Sequence, residues 1–427
     1  MTVISHMAAA AGPLRGVLPL GGWSAPRGVP VYQPDIFAQE AIADPYPHYA
    51  ALRGLGPVVW LKAQRVYAVG RHAEVKHVLM QPDVFLSGRG VALNAPTNRL
   101  GRGTTLNSDG LAHDERRKLI AHRLTPKALR SMKDDVQQAA EEVVERALTL
   151  RYVDGVDDLA LGLPLTVVPD LIGWPEEGRE NLVTWAGATF DVLGPLNRRA
   201  VSAIPAVVGM KRFTAKVVRR GALAEGSMGH DLQMARAAGT IDAAQLRAFM
   251  IDYLAPSIDT TAGAISAALW LFACHPDQWR LLKGDRSLLP NAVNEVVRIE
   301  SPLRSFSRWV AEETDVSGVR LPRGSRVNVL YASANRDGEA FPDPDVFDIA
   351  RKTAGQLGFG LGVHGCGGQG LARLETESIL GALLDRVERI ELNGVPRLAQ
   401  NNIIHRFERL PLRLVPTSTS ANEGSTR

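Results

Sequence analysis

Cysteine is nearly missing from this chain: its 427 residues carry only Cys274 and Cys366. Two such distant thiols exclude a disulfide framework, and without a CxxC pair they exclude a dithiol redox centre. The scarcity fits a reducing, cytosolic compartment. Charge of one sign is also lacking. The 49 Lys and Arg against 45 Asp and Glu leave a net charge of +4. These charges are dispersed, not striped, which argues against nucleic-acid binding. A shallow basic face for an acidic protein partner stays open. No apolar run is long: the longest, Ala262 to Cys274, falls short of the ~20 residues that cross a bilayer. The first residues show no basic segment followed by a clean apolar run, so neither a signal peptide nor a membrane anchor is expected. No internal repeat is visible.

What the chain has is helical periodicity with short β-like pieces between. Residues 1–30, rich in Ala, Gly and Pro, read as irregular, and 416–427 as a disordered tail. Pro-started "DPYPHYAALRGLG", "RHAEVKHVLM", amphipathic "SMKDDVQQAAEEVVERAL" and "PNAVNEVVRIES" read as helices. A long apolar helix covers Asp242 to His275. Residues 174–230 read as helical stretches broken by Pro195, Pro205 and glycines. "PVVWL", "VYAVG", "DVSGVRL" and "SRVNVLYAS" read as strands. The expected fold is mainly α with a minor β component.

One stretch carries chemistry. "GFGLGVHGCGGQGLARLE", Gly358 to Glu375, sets Cys366 among seven glycines at a helix start. A helix dipole and backbone N–H groups there stabilise a thiolate. Glycines let the backbone approach a flat partner, since no Cβ intervenes. Zinc would need more Cys or His ligands nearby than His364, and a phosphate loop would need a Lys. A lone thiolate ligand to haem remains, alongside a structural cysteine in a glycine turn.

The order of Phe359, Gly360, Gly362, His364, Cys366, Gly368, Leu371, Ala372, Arg373 and Glu375 resembles the haem-ligand loop of the cytochrome P450 family. Further segments fit that resemblance. "EVVR" matches the family's E-x-x-R pair with Glu295 and Arg298, and Arg351 in "FDIARK" is the candidate third member of that brace. "DGLAHDERR" matches an element whose His113 and Arg117 would hold haem propionates, with Arg308 and His364 joining them. "YLAPSIDTTAG" matches the oxygen-binding helix, in which Asp259 and Thr260 would relay protons. On local grounds alone this polar pair fits helix capping. Pro256 and Ser257 replace the family's usual Ala-Gly, and a proline inside a helix removes one ladder bond and kinks it.

The resemblance implies a single prism-shaped domain over 31–415, haem b, Cys366 as iron ligand, and Phe359 and Gly368 beside the cofactor. It implies a monooxygenase acting with O2 on a small organic substrate. Electrons would come from a ferredoxin and its NAD(P)H-dependent reductase, with no membrane and no nucleic acid involved. Arg116, Lys118 and Arg123 are candidates for the docking face. "SGRGVALN", "RIESPLRSFSR", "ASANRD" and "NNIIHRFERLP" look like the bacterial members that oxidise small para-substituted aromatic acids. Pocket candidates are Arg89, Phe190, Asp252, Ala255, Pro256, Leu303, Phe306 and Ile404. Those enzymes carry Arg-Ser where this chain has Ile251-Asp252, and a carboxylate would be repelled by Asp252. A neutral phenol, aryl ether or amine is therefore expected, unless Arg89 and Asp252 pair. Competing expectations are a peroxide-using enzyme, a haem carrier or sensor without turnover, and a terpenoid or other apolar substrate.

Overall fold

The computed structural model describes residues 25–417; most of the expected irregular start and of the expected tail lies outside the described residues. Helices of eight residues or more cover Tyr46–Leu55 (α1), His72–Leu79 (α2), Gly110–Ala121 (α3), Lys133–Leu148 (α4), Pro164–Ile172 (α5), Leu182–Leu193 (α6), Arg198–Arg220 (α7), Met228–Ala237 (α8), Ala243–Cys274 (α9), Pro276–Gly284 (α10), Leu289–Glu300 (α11) and Gln369–Arg386 (α12).

The expected long helix, α9, runs through the middle and packs against α5, α6, α7, α11 and α12. A capping box starts it: Asp242 Oδ1 accepts from the N–H groups of Ala244 and Gln245, and Gln245 Oε1 accepts from Asp242 N–H. By length and composition α9 is apolar enough to cross a membrane, but 72% of its most apolar window is buried inside the protein. It is a core helix. Its side chains Leu246, Phe249, Ile258, Ile265, Leu269 and Phe272 sit in the largest apolar cluster with α4, α5, α11 and α12. The helix continues through Pro256. Ser257 Oγ and Thr260 Oγ1 donate to the carbonyls of Tyr253 and Pro256, each at 2.7 Å.

Pro205 does not break the chain as expected; it lies inside the 23-residue α7. The carbonyl it deprives of a partner belongs to Val201, which is exposed, so water can satisfy it.

The largest part of the β component is a six-stranded sheet of Val31–Tyr32 (β1), Val59–Leu61 (β2), Val66–Val69 (β3), Phe85–Leu86 (β4), Ser305–Val310 (β5) and Arg326–Leu330 (β6), in the order β1-β2-β3-β6-β5-β4, beside smaller sheets of three, two and two strands. Strand β5 was not foreseen. It pairs antiparallel with β6, and Tyr331–Ser333, expected as the end of that strand, belongs instead to the short helix Tyr331–Ala334. Sheet and helices meet in one mainly α domain, as expected.

The brace expected from sequence is present. Arg298 donates to Glu295 at 2.6 and 2.8 Å with both side chains fully buried, and Arg351 reaches Glu295 at 3.1 Å. Arg298 also donates to the carbonyls of Asn335 and Pro344. This network ties α11 to the irregular passage 335–351 that leads into the cysteine loop.

Candidate active site

The cysteine loop is shaped by its own backbone. Gly360 and Gly362 have φ of +69° and +72°, a region open to glycine. Cys366 N–H donates to Phe359 O at 2.8 Å, and the Phe359 ring lies under the Arg373 guanidinium at 4.2 Å. Helix α12 starts directly after, with Gly368 as its N-cap. The N–H groups of Gly368 and Gln369, with Arg117 and Arg373, favour a thiolate as expected. Burial outweighs them and pushes the Cys366 thiol up. Yet the residue keeps accessible surface within this dense surround.

Around the loop, His113, Arg117, Arg308 and His364 converge. The His113 and His364 rings lie 4.4 Å apart. Arg117 donates to Gly365 O at 2.6 Å, and Arg308 to Ser307 O at 2.9 Å. Among the described residues no carboxylate pairs with Arg117 or Arg308. Asp109 lies 3.6 Å from His364 but is committed to the N–H groups of Ser87 and Gly88, and it titrates below the usual range. Buried His364 Nε2 has no hydrogen-bond partner, and burial lowers its pKa. A reachable thiol beside two unpaired guanidinium groups and an orphan imidazole nitrogen is a donor set for a metal-bearing dianion. Haem b, with iron and two carboxylates, fits it.

On the α9 side, four pocket candidates from three parts of the chain meet in one apolar cluster. Phe190, Leu303, Phe306 and Ile404 join Val91, Ala92, Leu193 and Ile403. The segment 89–92 is bolted over β5 and β6. Arg326 donates to the carbonyls of Gly90 and Ala92, and Ser307 N–H to Val91 O. A Cβ on Gly90 would overlap the backbone of Arg308 and Trp309. Further along, Leu93 N–H donates to Leu193 O, and Asn94 and Thr97 side chains donate to Val192 O, so this loop and the end of α6 are laced together.

One pocket candidate needs correction. Arg89 is exposed and stands outside the cluster, and no ion pair joins it to Asp252 among the described residues. Its backbone is held by Arg326, which leaves the side chain to solvent. Asp252 is turned toward the loop and accepts Thr105 N–H. Burial raises its pKa to about 7 against the pull of that hydrogen bond and of Arg116. Pro256 is half-buried, and the side chain of Ala255 lies outside the described residues. The docking candidates also divide. Arg123 is tied to Asp231 at 2.6 Å, Arg116 turns in toward Asp252, and Lys118 alone of the three is exposed.

Asp259 is 1% exposed, and its Oδ1 pairs with Arg406 Nε at 2.7 Å. Burial raises its pKa; Arg406 opposes this. Both residues line a cavity of about 820 Å³ between α6, α7 and segment 399–408. Arg406, Asp191 and Arg326 were missed in the sequence. Asp191 alone carried a signal, an acid inside the apolar run of α6.

A sequence profile described as "Cytochrome P450" matches residues 227–402. A protein of Rhodopseudomonas palustris, "Cytochrome p450 CYP199A2", is 38% identical over 393 residues, 91% of this chain and 95% of the relative. "Steroid C26-monooxygenase" of Rhodococcus jostii is 30% identical, over 87% of this chain and 82% of its own. Among solved structures, epothilone D-bound cytochrome P450epoK superposes with a TM-score of 0.82 at 26% identity, covering 90% of this chain and all of that one. CYP109E1 of Bacillus megaterium with testosterone gives 0.80 at 26% identity, covering 88% and 99%.

Proposed function

This chain belongs to the cytochrome P450 family, haem b monooxygenases, and from that premise we propose that it hydroxylates or O-dealkylates a small aromatic substrate with electrons from a ferredoxin and its NAD(P)H-dependent reductase. The apolar cluster of Phe190, Leu303, Phe306 and Ile404 carries this reading: aromatic and branched walls suit a compact ring.

Cys366 would be the iron ligand in this reading, binding as the thiolate. His113, Arg117, Arg308 and His364 hold the two propionates, while Phe359 and Gly368 frame the loop. Haem supplies activation of dioxygen when bound. The chain's own residues do the rest. The cluster excludes water from the reacting C–H bond. Asp259, its Oδ1 paired with Arg406, is the proton donor in this reading. Thr260 Oγ1 donates to Pro256 O, which leaves its lone pairs free to accept that proton.

Asp252 argues for substrates without a carboxylate: a phenol, an aryl ether or an amine. The free thiols Cys274 and Cys366 fit action in the cytoplasm. A spin-state titration of the ferric protein against benzoates, phenols, aryl ethers, anilines and a terpenoid tests the substrate class. Neutral aromatics are expected to give the largest shift, and a shift by the terpenoid alone overturns the reading. Turnover with peroxide matching turnover with ferredoxin and reductase would exclude the electron source proposed.

A further inference from the structure

Asp191 is a lone acid in the last turns of apolar α6. Its Oδ1 accepts Asn402 N–H at 2.8 Å, and its carbonyl accepts from Asn402 Nδ2 at 2.9 Å. It lines the same cavity as Asp259. On Asp259, Arg406 takes Oδ1, while Oδ2 faces Gly187: a Cβ at Gly187 would stand 3.6 Å from it. The missing side chain leaves the cavity wall low where the second oxygen of Asp259 lies.

The groups facing Asp191 come from every side. Arg198 and Arg199 stand on α7, Arg304 precedes β5, Asp259 is on α9, Asp35 comes from the N-terminal segment, and Arg406 and Glu408 from the C-terminal one. Arg199 is already spent on Phe37 O and Gln400 Oε1, each at 3.0 Å. Burial therefore prevails, against the Asn402 N–H, Arg199 and Arg304, and with Asp259 adding to it. The Asp191 carboxyl is raised to about 6, where an acid can both give and take protons near neutrality.

We propose that Asp191 is a second proton relay of the reaction, passing its proton through water in the α6–α7 cavity to Asp259 Oδ2 and regaining one from solvent. The O–H bond of Asp191 breaks as one forms on Asp259, whose own proton moves on toward the reacting oxygen. No electrons move: Asp259 is reprotonated by Asp191, and one proton from solvent restores Asp191. The proposal rests on Asp259 delivering protons.

The test uses the holoenzyme. Asp191→Asn keeps an oxygen to accept Asn402 N–H, so the fold is retained, but it carries no proton. Turnover is expected to fall about 5- to 50-fold, with a larger solvent deuterium isotope effect and loss of an inflection near pH 6. Substrate-induced spin shift stays unchanged. In the resting protein, a protonated-carboxyl infrared band titrating near pH 6 disappears in this variant. Gly187→Val, which fills the passage, slows turnover similarly while keeping the band. Wild-type turnover, isotope effect and pH profile in Asp191→Asn overturn the relay. Asp259→Asn separates the two readings. If it is slow while Asp191→Asn is normal, only the relay fails; if both are normal, Asp259 is not the proton donor.

Discussion

The cysteine side and the α9 side of this site are electrostatic opposites. Around Cys366 stand His113, Arg117, Arg308 and His364, with guanidinium groups that no carboxylate among the described residues neutralises. Across α9 and α6 stand Asp252, Asp259 and Asp191, each pushed upward by burial. Unpaired cations hold an anion, whereas Asp252 and Asp191, raised to about 7 and about 6, can exchange protons near neutrality. One side is built for retention and the other for traffic.

Breaking the retaining side has the largest effect. Cys366→Ser should abolish turnover and remove the thiolate-type absorption band of the reduced carbon monoxide complex; retention of that band would falsify the ligand assignment. Glu295→Ala comes next. It leaves Arg298 buried without its carboxylate, a loss of about 3–5 kcal/mol for a broken buried pair. Thermal melting should register it together with low haem content. Arg308→Leu removes one charge-assisted contact, about 1.5–3 kcal/mol, and should weaken haem retention in competition with a haem-scavenging protein.

Two further changes probe how pure the contrast is. Glu375 sits on the cysteine-side helix α12, 1% exposed, with neither oxygen hydrogen-bonded. Burial raises its pKa from 4.5 to about 8. The folded state thus keeps a proton that the unfolded chain releases, and stability falls as pH rises between these values. Glu375→Met should flatten that fall, with a gain on the order of a few kcal/mol at pH 8.5, at ~1.4 kcal/mol per pH unit, and none at pH 4. Equal slopes in chemical denaturation would place the proton elsewhere. Smallest is Asp252→Asn, which should move ligand preference toward benzoates by about tenfold or less at pH 8, with the gap closing below pH 7 as wild-type Asp252 takes up its proton. An unchanged panel at both pH values removes Asp252 from substrate choice.

The retaining side was the more legible in sequence because its parts are local. Cys366, His364 and the glycines form one contiguous pattern, and Glu295 with Arg298 lies one helical turn apart. The major helices followed from periodicity and caps. Strand β5 hid because its residues alternate poorly: Ser305, Ser307 and Arg308 are all buried polar residues. The α9 side depends on contacts across long sequence separations. Asp259 meets Arg406 and Asp252 meets Thr105, and no spacing rule announces either pairing. Arg89 looked functional next to Gly88 and Gly90, yet it is its backbone that is used.

Gly90 fixes how this enzyme can diversify. Its α-carbon sits flat on the strand that carries Arg308, so no other residue fits there, while Arg89 beside it faces water. Descendants of this sequence can alter the side chain at position 89 at little risk, but one methyl group at position 90 would pry the loop from its sheet. New substrate ranges must then be reached by changing Val91, Ala92 and the residues they touch, within a loop whose anchor point is frozen.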